Sequence, residues 1–146
     1  LTNLAILLAD SGRPREALDR LANALRFRPD YAEAHFQAGL VLERIGARDA
    51  AVQALANALL LAPGNAAAHA ALCRVRVAAG RVADAEAHCR EALRLDPDLV
   101  EADQAMARLL DAQAQPAAAR VHAERAAARV DSRVASHRSQ AATLLE

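Results

Sequence analysis

The chain has 146 residues, 54% of them hydrophobic, and its 18 basic and 18 acidic side chains leave no net charge. That length suffices for one compact domain or a short repeat array with a buried core. Balanced charge without a basic run argues against a nucleic-acid module, and 2% aromatic content is too little for base-stacking platforms or a ring-lined pocket. The apolar count is mostly alanine, 41 residues, and every Lys+Arg residue is arginine. Both residue types have GC-rich codons, which points to a high-GC bacterial genome and says nothing of activity.

The chain opens on Leu1-Thr2-Asn3-Leu4-Ala5-Ile6-Leu7-Leu8, which reads as the middle of a helix, so a fragment of a longer protein is expected. No signal-peptide pattern is visible. Pro14 stands where a second helix begins, because the first helical position needs no N–H. Asp30 with Glu33 has the D-x-x-E spacing of a capping box. A helix is expected from about Ala32 to Ile45, with Phe36, Ala38, Gly39 and Leu42 at helical spacing. Gly46 stops it by tolerating the left-handed conformation. The next helix runs from about Asp49 to Leu61, and Pro63 prevents it from continuing. No formal charge falls between Ala50 and Cys73, yet Gln53, Asn57 and Pro63-Gly64-Asn65 interrupt the stretch. About a dozen continuous residues remain, short of the roughly 20 that a membrane span needs. Asp98 with Glu101 repeats the capping spacing, and Pro116 repeats Pro14. The tail from Ser132 is more polar, with Ser136, His137, Arg138, Ser139 and Gln140.

One period runs through these elements. Pro29, Pro63 and Pro97 lie 34 residues apart, and Gly12, Gly46 and Gly80 keep the same step. So do Ala17, Ala51, Ala85 and Ala119, then Ala24, Ala58, Ala92 and Ala126, then Leu25, Leu59 and Leu93. A unit of helix, turn, helix cannot bury its apolar face alone, so neighbouring units must stack.

The sequence resembles the tetratricopeptide repeat family, whose unit reads W-x2-L-G-x2-Y…A-x3-F…P. Residues 32–65 carry the pattern as His35, Ala38, Gly39, Leu42, Ala51, Leu55, Ala58 and Pro63. Residues 66–99 carry it as His69, Leu72, Cys73, Ala85, Cys89, Ala92 and Pro97. Residues 1–31 form a repeat truncated at its start. Residues 100–131 form a degenerate one, with Ala114 for the turn glycine and Asp131 for the proline. Residues 132–146 are expected to be a C-terminal cap or the start of a further repeat. The resemblance implies an all-α fold, an α-solenoid of antiparallel helix pairs in a right-handed superhelix of about four repeats.

Family members bind partners on the concave side, lined by the first helix of each repeat. The resemblance places Asn3 and Ile6 of the first repeat there, then Phe36, Gln37, Leu40 and Arg44 of the second. From the third come Ala70, Arg74 and Val77, and from the fourth Gln104 and Arg108. Such a groove implies a protein or peptide partner with an apolar anchor and an acidic group or C-terminal carboxylate, which arginine binds bidentately. Arg108 has Asp111 three residues on, a spacing at which helix side chains meet and neutralise each other. Arg74 has no partner on its own helix, and only Glu43 of the preceding first helix is within expected reach. The two-lysine, two-asparagine, one-arginine clamp of chaperone-binding members is absent: its positions hold Thr2, Ile6, Gln37, Ala67 and Ala71. The asparagine ladder of repeats attached to a sugar transferase fades after Asn3, continuing as Gln37, Ala71 and Ala105.

The expected function is a protein-interaction scaffold, not an enzyme, with micromolar affinity on the order of a short groove. The alternatives are an accessory region of a larger bacterial glycosyl- or sulfotransferase, or a self-assembly module. The latter would use the uncharged outer face of Ala50, Gln53, Ala54, Ala56, Asn57 and Leu60. His69, Cys73 and Cys89 supply three metal-type ligands without a fourth, so neither metal nor cofactor is expected. Both cysteines fall at core positions, where they act as compact hydrophobes and fit a reducing, cytoplasmic setting. Antiparallel helices would still bring them towards disulfide distance. Ser136, His137 and Ser139 lack a carboxylate to orient the histidine, and no phosphate loop or nucleophile elbow is present.

Overall fold

The computed structural model describes residues 2–145, with the side chains of residues 2, 3, 4 and 6 outside the description. Among the described residues there are eight helices and no strand. They are α1 (Thr2–Asp10), α2 (Pro14–Phe27), α3 (Ala32–Arg44), α4 (Arg48–Leu61), α5 (Ala66–Ala78), α6 (Val82–Leu95), α7 (Val100–Ala112) and α8 (Pro116–Leu144). The second-repeat helices lie within a residue of their expected bounds.

Each odd helix packs on the even helix that follows it, and each even helix on the next odd one. Odd helices also touch the next odd helix, whereas no contact joins two even helices among the described residues. The odd helices therefore line the inside of the curve and the even ones splay on its outside. This is the architecture of a stacked solenoid, in which each unit meets only its neighbours.

The alanine ladders explain the close approach. Ala17, Ala51 and Ala85 are fully buried, as are Ala58 and Ala92, and Ala24, Ala119 and Ala126 are nearly so. Gly39 belongs to the same logic, since a Cβ there would lie 2.6 Å from Leu55 Cγ across the α3–α4 contact. Three core clusters follow one another along the stack, centred on Leu21, on Leu55 with Leu72, and on Cys89 with Leu109.

The turns repeat as faithfully as the helices. Gly12, Gly46 and Gly80 hold φ of 79°, 80° and 75°, and Ala114 holds 57° at the fourth turn. Each ends its helix with a pair of backbone bonds, such as Gly46 N–H to Glu43 O at 3.0 Å and Ala47 N–H to Leu42 O at 2.9 Å. That pairing is the Schellman motif, which places its left-handed residue just past the helix. Pro14 and Pro116 open α2 and α8 as expected.

The capping boxes are a correction. The N-cap residues of α3 and α7 are Tyr31 and Leu99, one position later than Asp30 and Asp98, and neither side chain caps. Asn65 at the equivalent place does cap, accepting from Ala68 N at 3.0 Å. His35 and His69 serve the same junctions differently. Their Nε2 atoms donate to the carbonyls of Pro29 and Pro63, at 2.9 and 3.1 Å, and tie each inter-repeat turn to the helix that follows.

The cysteines are a second correction. Cys73 on α5 and Cys89 on α6 face each other with Cα atoms 5.2 Å apart and form a disulfide, so they are not two free core thiols. Antiparallel packing of α5 on α6 brings the two positions within bonding range.

Helix α8 runs for 29 residues where α2, α4 and α6 run for 14. Position 131 is aspartate where the other repeats carry Pro29, Pro63 and Pro97, so nothing stops the helix at its usual length. Residues 132–144 continue it with exposed side chains throughout.

Candidate functional site

On the inner side, α3, α5 and the start of α7 enclose a cavity of about 620 Å³. Phe36, Leu40, Ala67 and Leu99 give it an apolar floor, and Glu43, Arg44, Arg74 and Glu101 form its polar border. Phe36 and Leu40 rest on the core formed by Leu55, Leu72 and Val75 and keep part of their surface open to solvent. Helical spacing on α3 puts residues 36, 40, 43 and 44 on one face, which is why one helix supplies both floor and border.

The charges of this border are largely spoken for. Arg74 Nε donates to Glu43 Oε1 at 2.5 Å and Nη2 to Oε2 at 2.6 Å, a fork-to-carboxylate pair between neighbouring odd helices. Both side chains are about four-fifths buried. The hydrogen bond to Glu43 raises the Arg74 guanidinium above its ordinary value against the opposing effect of burial, with Glu101 adding a smaller attraction. Arg44 donates from Nη1 to Asp10 Oδ1 at 2.6 Å in a more exposed pair. Glu101 has no ion-pair partner among the described residues.

Of the expected groove residues, Phe36, Leu40, Arg44 and Arg74 come together around this cavity. Gln37 does not line it: it is buried, and its Nε2 donates to Glu33 Oε1 at 2.6 Å. Ala70 is fully buried beneath α7 and cannot touch a partner. Val77 packs against the same core cluster. Gln104 and Arg108 open instead into a separate shallow cavity with Ala107, Ala123, Ala126 and Ala127, at the last face of the stack. Arg108 makes no ion pair with Asp111 and is exposed. Asn3 and Ile6 lie outside the described side chains. Leu99 was missed, because it sits in a turn where helical spacing gives no signal.

Two polar clusters lie elsewhere. Asp103, fully buried on α7, accepts from His122 Nδ1 at 2.8 Å and from Arg129 Nη1, with Arg125 at 3.7 Å, all three on α8. Arg129 also reaches Asp98 at 3.1 Å. His69 and His88 meet through their Nδ1 atoms at 3.0 Å. Since His69 Nε2–H donates to a carbonyl, its Nδ1 is the acceptor and His88 Nδ1–H the donor in the neutral pair. Burial, then Arg76 and His69, pushes His88 below its ordinary range. With Cys73 and Cys89 joined to each other and His69 engaged, no group of three or more His, Cys, Asp or Glu among the described residues is arranged around a metal ion.

No protein-family model matches the sequence, and neither does any curated protein. Solved structures do match the fold. A thermophilic TPR protein from Thermus thermophilus superposes with a TM-score of 0.80 at 18% identity, covering 88% of this chain and 72% of its own. The chain has the tetratricopeptide-repeat fold. MamA from Desulfovibrio magneticus matches it with a TM-score of 0.75 at 21% identity, over 90% of this chain and 74% of that one. A mutant of the O-GlcNAc transferase of Thermobaculum terrenum matches at 29% identity and a TM-score of 0.71, over 75% of this chain but only 21% of the transferase. No helix among the described residues of this repeat solenoid is long and apolar enough to cross a membrane.

Proposed function

We propose that the chain is a protein-interaction scaffold that receives a peptide segment of a partner against Phe36 and Leu40. The observation that carries this is the cavity between α3, α5 and α7, apolar in its floor and bordered by charged side chains. An apolar side chain fits there, and displacing water from that floor provides the driving force. Arg74 orients the segment less than its charge suggests, because a partner carboxylate would have to displace Glu43. Affinity then rests on the apolar anchor, with Arg44 at the rim.

Selection of random peptides on the wild-type protein tests this. Selected sequences should share an apolar residue, and their affinity should fall about tenfold or more in Phe36→Ala, the loss expected for truncating a central anchor. They should bind Leu60→Glu as well as wild type. Peptides that bind Phe36→Ala and Leu40→Ala undiminished would sink the proposal.

A second reading rests on Leu60, which is 81% exposed on the uncharged outer face of α4. Self-association through that face predicts a concentration-dependent sedimentation coefficient that Leu60→Glu abolishes. The transferase match supports a third arrangement, in which these repeats are one arm of a larger enzyme.

A further inference from the structure

At the turn end of the stack, away from the groove, a cavity of about 410 Å³ lies between the start of α4 and the α5–α6 turn. Arg48, Asp49, Gln53, Arg76 and Arg81 line it.

Position 76 departs from the repeat. Steps of 34 residues give Leu8, Leu42, Arg76 and Leu110. Those leucines pack against the three successive cores. Arg76 thus puts a part-buried arginine, its guanidinium bonded at the surface, where the fold otherwise places an apolar side chain, and that charge needs partners. Within the protein it finds little. Nη1 donates to the Asp84 carbonyl at 3.3 Å, its one hydrogen bond among the described residues, and a guanidinium has five N–H donors.

The neighbouring charges add to it. Arg81 is anchored on the same residue, donating from Nε to Asp84 Oδ2 at 2.8 Å. Arg48 opens α4, and its side chain has no partner among the described residues. Three guanidinium groups against Asp49 and Asp84 leave a positive charge in excess. The three come together at one junction only: the equivalents of Arg48 are Pro14, Val82 and Pro116, those of Arg76 are leucines, and those of Arg81 are Arg13, Ala47 and Gln115.

We infer that the cavity bordered by Arg48, Arg76 and Arg81 binds a phosphate-type oxyanion, free or carried on a phosphorylated side chain of a partner. A planar carboxylate fills one fork, as Asp84 does on Arg81. Guanidinium groups from three residues around one cavity offer donors from several sides, which suits a tetrahedral dianion. The site is separate from the groove and does not depend on it.

Calorimetric titration with inorganic phosphate at constant ionic strength tests the inference, beside acetate and beside a phosphoserine peptide and its unphosphorylated form. Phosphate should bind saturably and more tightly than acetate. In Arg76→Leu, which restores the residue of the other repeats, affinity should drop about tenfold, the loss for one charge-assisted donor group. Arg48→Gln, at an exposed helix start, should weaken binding too and decides the matter if Arg76→Leu does not fold. A phosphopeptide that binds more tightly than phosphate, with its unphosphorylated form silent, places the anion on a partner; equal or weaker binding assigns the site to free phosphate. Absence of saturable binding, acetate equal to phosphate, or full affinity in the folded variants overturns the inference.

Discussion

Replacing Ala114 by glycine isolates the cost of one backbone conformation. Ala114 holds φ 57° at a turn where Gly12, Gly46 and Gly80 hold 79°, 80° and 75°. A Cβ built on any of those glycines meets nothing within 4 Å, so the turn has room for alanine and the penalty is conformational. The left-handed region costs an L-residue about 1–2 kcal/mol. Glycine gives back about 0.4–1 kcal/mol of that gain through its freer unfolded chain. Ala114→Gly should therefore be more stable by about 0.5–1 kcal/mol, a rise in Tm of roughly 1–4 °C for a chain of this size. Because each unit of a solenoid touches only its neighbours, the gain should concentrate in α7 and α8. Thermal melts followed by circular dichroism measure the total, and amide hydrogen exchange locates it: α7 amides should slow and α3 amides should not. A variant no more stable than wild type, or protection spread evenly along the stack, would refute the argument, and Gly80→Ala should move stability the opposite way.

Reducing the Cys73–Cys89 disulfide opens a loop with a sequence separation of 16 residues; chain-entropy reasoning sets its stabilisation at about 3 kcal/mol, readable as a shift of the urea midpoint with and without reductant. Two thiols should titrate only after denaturation with reductant. Asp103→Ala leaves Arg129 and His122 facing an empty site and should cost about 3 kcal/mol, with α8 losing hydrogen-exchange protection before α7. His88 is held below its ordinary value of 6.5 in the folded chain, so folding disfavours its protonation. Its stabilising share is complete above that value and should be lost as pH falls through and below it, an effect that His88→Gln removes from the pH dependence of Tm. Arg74→Gln should cost about 1–2 kcal/mol by leaving the largely buried Glu43 unpaired, whereas Arg108→Gln should change stability by less than about 0.5 kcal/mol. Equal costs at the two positions in urea unfolding would contradict the pairing.

Much of the fold was legible because the period is covalent information. Ladders of proline, glycine and alanine mark turns and close contacts by sterics alone, and steric demands on a residue do not depend on its distant neighbours. The capping boxes misled because D-x-x-E is a local pattern, and the inter-repeat turns start their helices one residue later, at Tyr31 and Leu99. The groove was half legible. Phe36 and Leu40 follow from helical spacing, but a periodic assignment treats every repeat alike and cannot see that Ala70 and Val77 lie under α7. Asp103 was missed for a related reason: a lone acid at a helical position has no signature until the cations of α8 close over it.

The contrast between Arg74 and Arg108 shows how position along the stack, and not position within the repeat, decides what a groove residue can do. The two are one period apart, on α5 and α7. Arg74 pairs with Glu43 of the preceding odd helix, 31 residues earlier. The same step back from Arg108 reaches Val77, which is packed in the core and offers no acceptor. Among the described residues Arg108 also has no following odd helix to cover it, and it opens with Gln104 onto a shallow cavity beside α8. The equivalents of that pair one repeat earlier are Arg74 and the fully buried Ala70. Arg108 is thus unpaired among the described residues, while the cavity between α3, α5 and α7 keeps an arginine already neutralised. In the proposed function, a partner in that cavity would therefore be selected first by the apolar contact at Phe36 and Leu40.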